Sequence, residues 1–210
     1  MTQHFIDIKS TQSITHNNFG IGARFTVNVM SDDYISIILS ALENTPKKDV
    51  DVITDPVSTY VTGNEQAICE YICSVIHKIA SSHHHVSVSL MLSRGCPGEV
   101  TCQLPDDTLF TSNQSITLAP TGINVLAQWS LYPLIDTIKD NYSHMTDIYS
   151  AIEYTKQKKI YKRSHHYVTE LQGDLSAIIE TIASGWLMVG RTVQHVTTHA
   201  TISINSPSKN

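Results

Sequence analysis

The sequence predicts an α/β (α+β) fold made of two tandem βαββαβ units, and three observations carry that expectation. The first is self-similarity: beyond residue 40, a shift of 110 positions superposes Ser40 on Ser150, Glu43 on Glu153, Thr59 on Thr169, Gly63 on Gly173, His85 on His195 and Pro97 on Pro207. The second is that apolar helix positions obey the same shift, Ala67 matching Ala177, Ile68 matching Ile178 and Ile72 matching Ile182. The third is the order of periodicities, which runs strand, helix, strand, strand, helix, strand in each half. A fixed internal period of this kind marks a duplicated structural unit.

In the first half, Ala23 to Met30 alternates Phe25, Val27 and Val29 with Arg24, Thr26 and Asn28, the period of a half-buried strand. Asp32 or Asp33 is placed to cap the helix that follows, where Ile35, Ile38, Leu39 and Leu42 form one stripe before Pro46 ends it. Val50 to Ile53 and Val57 to Thr62 read as a strand pair around the Asp55-Pro56 turn. Asn64 caps a longer helix carrying Ala67, Ile68, Ile72, Val75, Ile76 and Ile79, and His85 to Leu92 is the closing strand.

The second half repeats this order. Gln128 to Leu134 matches Arg24 to Met30 at an offset of 104, so six residues are added within IDTIKDNYSH, ahead of a helix from about Ser143 to Gln157. Strands near 160–162 and 166–171 follow. Gly173-Asp174 opens the second long helix, and His195 to Ile204 closes the unit. The expected organisation is an N-terminal segment (1–22), a first repeat (23–93), a linker (94–122), a second repeat (123–205) and a short tail (206–210).

The βαββαβ order describes a ferredoxin-like unit, with both helices on one face of an antiparallel sheet. The other face needs a cover. Two such sheets packed back to back, across the internal pseudo-twofold or across a homodimer, give an α-β-β-α layered sandwich.

Composition narrows the functions. The net charge of -5, from 19 acidic and 14 basic residues, argues against a nucleic-acid surface. The run Lys156, Lys158, Lys159, Lys162 and Arg163 reads as a solvated helix end and edge strand. Cys69 and Cys73 share a helix face without dithiol or zinc spacing and read as buried thiols. MTQHFIDIKSTQ is not an apolar leader and nothing approaches a membrane span, so a cytoplasmic location is expected.

No P-loop, HExxH, GxSxG or strand-following GxGxxG is present, and Gly20-Ile21-Gly22 precedes its strand, so no enzyme activity and no cofactor are expected. His83-His84-His85 invites a metal reading. Its counterparts are Val193, Gln194 and His195, however, so only His85 is repeated, and hydrogen bonding at the start of the last strand is the simpler role for His85 and His195, with ligand contact the alternative. Matched polar positions in otherwise apolar strands, Arg24 with Gln128, Thr59 with Thr169 and Ser87 with Thr197, either satisfy one another or face a small heteroaromatic ligand.

The segments GARFTVNVMSDDYISIILSAL, SRGCPGE (Ser93 to Glu99), WSLYP (Trp129 to Pro133), ELQGD (Glu170 to Asp174) and the terminal NSPSKN resemble the YkoF family of thiamin and hydroxymethylpyrimidine-binding proteins. The resemblance implies a dimeric, non-catalytic binder of thiamin through its aminopyrimidine, with related sites in each repeat and a link to thiamin-precursor transport or salvage. An aminopyrimidine asks for a carboxylate or amide for its amine, a hydroxyl or guanidinium for a ring nitrogen, and an aromatic or Met wall. The first-half candidates are therefore Arg24, Asp33, Thr59 and Ser87 with Met30 or Tyr34. The second-half candidates are Gln128, Asn141, Thr169 and Thr197 with Trp129 or Tyr132. Asp33 is equally placed to be only a helix cap. The alternative function is a ferredoxin-like structural or regulatory module acting through protein association.

Overall fold

A computed structural model describes residues 15–96, 110, 115–134 and 144–208. A short helix α1 (His16–Phe19) leads into β1 (Gly22–Val29), α2 (Tyr34–Glu43), β2 (Val50–Thr54), β3 (Thr59–Gly63), α3 (Glu65–Ala80) and β4 (Val86–Arg94). The second half contributes β5 (Asn124–Leu134), α4 (His144–Gln157), β6 (Tyr161–Ser164), β7 (Thr169–Asp174), α5 (Leu175–Val189) and β8 (His195–Ile204). Both halves are the expected ferredoxin-like units, and the added residues fall between β5 and α4.

The eight strands form one antiparallel sheet in the order β2-β3-β1-β4-β8-β5-β7-β6. The halves join edge to edge through β4 and β8, in a register that runs from Val86↔Ile204 through Leu90↔Ala200 to Arg94↔Val196. Leu90 and Ala200 are themselves duplicates, so the ladder is symmetric about that pair and the pseudo-twofold passes through it. Its axis is normal to the sheet, so the rotation keeps all four long helices on one face, where α3 and α5 meet at the centre. Of the two places expected for face-to-face sheet packing, the one within the chain is therefore not used. Joining two unpaired edges satisfies a row of backbone groups that face-to-face packing would leave open.

Alternate residues of the strands fill the helix-side core: Ala23, Phe25 and Val29 of β1, Val86, Val88, Leu90 and Leu92 of β4, Val125, Ala127, Trp129 and Leu131 of β5. Asn64 caps α3 by accepting from the Ala67 N–H at 2.8 Å, and Asp174 caps α5 by accepting from the Ser176 N–H at 2.9 Å. Asp33 stands at the start of α2 but makes no side-chain cap bond. Cys69 and Cys73 are buried, and burial pushes both thiols up, Cys73 to about 12, which leaves them un-ionised at neutral pH. The basic run behaves as expected, with Lys156 on Glu153, Lys158 on Glu180, and Lys162 and Arg163 on Glu170.

Three features differ from the sequence expectation. Helix α1 is too short to show a period, yet Phe19 at its end and Ile21 just beyond it are fully buried. The described end of the linker is also part of the packing: Gln66 exchanges two hydrogen bonds with the Thr117 backbone, and Asp174 receives the N–H groups of Thr121 and Gly122. Arg94, assigned to the linker from the sequence, is instead the last residue of β4 and fully buried.

Arg94 lies 3.6 Å from Glu65, also fully buried, between the rings of Phe19 and Trp186 and against Gly190, where any Cβ would come within 2.7 Å of the Arg94 stem. The duplicates of this ion pair are Ile204 and Leu175, both fully buried. One repeat thus solves with charge what the other solves with hydrocarbon. Losing one partner strands a charge, whereas replacing both with hydrocarbon is often neutral. Arg94→Ile alone should lower unfolding free energy by ~3–5 kcal/mol, while Arg94→Ile with Glu65→Leu should recover most of that loss, as read from urea midpoints. Equal losses in the two variants would contradict the assignment.

Candidate functional site

The ladders create a notch at the same place in each half. β1 pairs with β3 only as far as Phe25↔Thr59, and β5 with β7 only as far as Trp129↔Thr169. Beyond these pairs the first strand continues with a partner on one flank only. The open flank is walled by the hairpin turn and by the amphipathic helix above it. A hydroxyl of the first strand ties down the turn in both halves: Thr26 Oγ1 donates to the Val57 carbonyl at 3.0 Å, and Ser130 Oγ to the Tyr167 carbonyl at 2.8 Å.

Each notch holds a cavity. The first is about 120 Å³ and is lined by Phe25, Ile38, Leu42, Thr54, Asp55 and Thr59, among others. The second is about 300 Å³ and is lined by Trp129, Ile148, Ile152, Ser164, His165 and Thr169 at the duplicate positions. Only the second reaches the lower end of the ~300–1,000 Å³ typical of small-molecule sites.

The floor differs through a coordinated exchange. Phe25, Val75 and Val88 of the first half become Trp129, Gly185 and Thr198. The larger indole fits because Gly185 has no side chain; a Cβ there would stand 3.1 Å from the ring. Its N–H donates to Thr198 Oγ1 at 2.6 Å, and Thr198 in turn donates to the Ser130 carbonyl at 2.8 Å. A buried indole N–H needs such a partner. In the first cavity the hydroxyls of Thr54 and Thr59 satisfy each other at 3.1 Å. In the second, Ser164 pairs with the Tyr161 hydroxyl instead, so Thr169 lacks the partner that Thr59 has.

The rims differ in charge. Beside the first cavity, Arg24 Nη1 meets Asp55 Oδ2 at 3.0 Å and Ser58 Oγ at 2.7 Å while its guanidinium lies over Tyr60. The Ser58 and Val57 N–H groups, with Arg24, hold the Asp55 carboxyl below its usual range. Beside the second, His165, Lys162 and Arg163 converge on Glu170, His165 Nε2 lying 2.6 Å from Oε2. The hydrogen bond from His165, helped by Lys162 and Arg163 against the opposing effect of burial, draws the Glu170 carboxyl down to about 2.

Of the residues singled out from the sequence, Trp129, Tyr132 and Thr169 come together in the second cavity and Thr59 lies in the first. Arg24 reaches the rim through Asp55. Ser87, Gln128 and Thr197 project from the helix-free face of the sheet, Ser87 opposite Asn28 and Ser203, Gln128 opposite Glu170, and Thr197 bonded to Ser93 at 3.1 Å. They are not brought together with Thr59 or Thr169, which sit across from Phe25 and Trp129 on the helix side. Met30, Asp33 and Tyr34 are outside the cavity lining, Met30 and Tyr34 both being exposed. Asn141 lies outside the described residues. His85 bonds Ser203 at 3.2 Å, the hydrogen-bonding role expected of it. Asp55, Ser164 and His165 also line the cavities, Ser164 and His165 standing 110 positions after Thr54 and Asp55 of the first turn.

Fold and cavities define a tandem ferredoxin-like protein with a duplicated, half-apolar notch at the free flank of the first strand of each repeat. The chain belongs to the YKOF-related family, whose model matches residues 20–99 and 124–209, one segment in each repeat. It is 29% identical over 191 residues to a Bacillus subtilis (strain 168) protein described as "Putative HMP/thiamine-binding protein YkoF", a similarity that spans 90% of this chain and 92% of that relative.

Two outcomes are expected from the site geometry. Trp129→Phe should cost ~1–3 kcal/mol through lost packing and a lost hydrogen bond, and adding Gly185→Val and Thr198→Val, the set found in the first half, should restore much of it in urea unfolding. For Glu170, the folded carboxyl titrates near 2 against an ordinary 4.5, so its contribution is present above pH ~4.5 and is lost as pH falls toward 2. Glu170→Gln should flatten the fall in stability across that window, measured by thermal unfolding against pH.

Proposed function

We propose that the protein binds thiamin or its hydroxymethylpyrimidine moiety without transforming it, as a cytoplasmic carrier in thiamin-precursor transport or salvage. The observation that carries this reading is the residue-by-residue repetition of one cavity, aromatic floor, aliphatic helix wall and hydroxyl-bearing turn, in both halves of a YkoF-related chain. A flat ring slides between Trp129 and the Ile148 and Ile152 side, with the Thr169 hydroxyl and His165 at its edge for a ring nitrogen and the exocyclic amine. The second cavity is the principal site, being larger and having Thr169 free of Thr59's internal bond. Among the described residues no helix is long and apolar enough to cross a membrane, and no three His, Cys, Asp or Glu side chains are grouped to hold a metal.

The working unit proposed is a homodimer, functionally linked to a precursor transporter. Its support is the helix-free face, where Ser87, Ser89, Ser93, Thr201 and Ser203 along the central strands are small enough to let a second sheet approach closely and Met91 among them is an exposed apolar side chain for it to cover.

Calorimetry tests the ligand. Hydroxymethylpyrimidine should bind and should compete with thiamin, and Thr169→Val should weaken it by about five- to tenfold, the worth of one hydrogen bond. Equal binding of the isolated thiazole half, or no effect of Thr169→Val, would overturn the assignment.

A further inference from the structure

Because the two cavities are duplicates, their rims can be compared position by position. Val52, Ile53, Asp55 and Tyr60 around the first correspond to Lys162, Arg163, His165 and Glu170 around the second, and Arg24 corresponds to Gln128. At the first rim one cation and one anion cancel, Arg24 and Asp55 at 3.0 Å. At the second, Lys162 and Arg163 share a single carboxylate, leaving one positive charge in excess with His165 neutral and two with it protonated.

That excess approaches the notch from the helix-free side, where Glu170 lies opposite Gln128. His165 is part of the cavity wall and bonds the same Glu170 oxygen that Arg163 reaches at 3.1 Å, so the guanidinium stands one carboxylate oxygen behind the wall. Arg163 approaches Glu170 through Nε, and its side chain is 61% exposed. Lys162 takes the other oxygen at 3.1 Å. A guanidinium and an ammonium set side by side suit a phosphate, which accepts from both. The first rim offers no such excess, because its one cation, Arg24, is already paired with Asp55.

Resting on the reading that both cavities take the pyrimidine, we infer that the second cavity selects its phosphomonoester, with Lys162 and Arg163 as the specificity-determining residues and the phosphate held at the His165 side of the mouth. The first cavity takes only the uncharged alcohol or the thiazolium-bearing compound. The duplication has thereby produced two sites sorted by ligand charge as well as by size.

The test is titration of the full chain with hydroxymethylpyrimidine, with its monophosphate, and with inorganic phosphate alone, reading affinity for the second cavity from the Trp129 indole resonance. The monophosphate should bind at least about fivefold more tightly than the alcohol at low salt, and this ratio should shrink as salt is raised, because partly exposed charges are screened. In Lys162→Val with Arg163→Ile, the residues of the first rim, the ratio should fall to one or below. A wild-type ratio of one or less, a ratio insensitive to salt, or inorganic phosphate binding as tightly as the ester would each overturn the inference. If the alcohol binds without an ester advantage, the inference falls and the pyrimidine assignment stands; if neither compound binds, both fall.

Discussion

The ladder between β4 and β8 is the constraint on which the rest of the structure depends. Each repeat ends in a strand with one open edge, and an open edge is a liability unless it is covered. Pairing the two edges in a register centred on Leu90 and Ala200 turns two four-stranded sheets into one and brings all four long helices to the same side. It also sends the first strand of each repeat toward opposite ends of the molecule, where each outlasts its partner and leaves a notch. The cavities are thus a consequence of how strand lengths and ladder register combine, and they are separated by the central ladder.

Duplication relieved each half of the need to keep the same side chains. Where the first half has Phe25, Val75 and Val88, the second packs Trp129 against Gly185 and Thr198, with the indole N–H satisfied by the hydroxyl. Where the first buries Arg94 beside Glu65, the second has Ile204 and Leu175. Each exchange changes several residues in concert, as close packing and the cost of an unpaired buried group demand. The same freedom acted on the rims, where Asp55 and Arg24 gave way to His165 and Gln128.

Most of the fold was legible in the sequence. The shift of 110, and of 104 for the first strand, is the shift that the strand registers obey, and Asn64 and Asp174 cap the helices they precede. The candidate site was legible only in part. Period-two alternation separates Phe25 from Arg24 but does not say which residue of β3 lies across from Phe25; that requires the register, which places Thr59 on the helix side and Arg24 away from it. Arg24 with Gln128 and Ser87 with Thr197 were correctly matched as duplicates, yet they occupy the face opposite Thr59 and Thr169. Helix α1 gave no signal because four residues show no period. Arg94 reads as linker in the sequence because a charged residue after an apolar strand ordinarily marks its end, whereas here it closes β4 and is buried.

The proposed binding of ligand in the notch that holds Trp129 can be read directly, because the chain's two tryptophans sit in different surroundings. The Trp129 indole N–H bonds Thr198 at the cavity floor, whereas that of Trp186 bonds the Val196 carbonyl in the closed core at 3.0 Å. In a titration with hydroxymethylpyrimidine followed by proton–nitrogen correlation spectra, the Trp129 indole resonance should move saturably while that of Trp186 stays in place. Saturable binding that leaves the Trp129 resonance unmoved would place the ligand outside this notch.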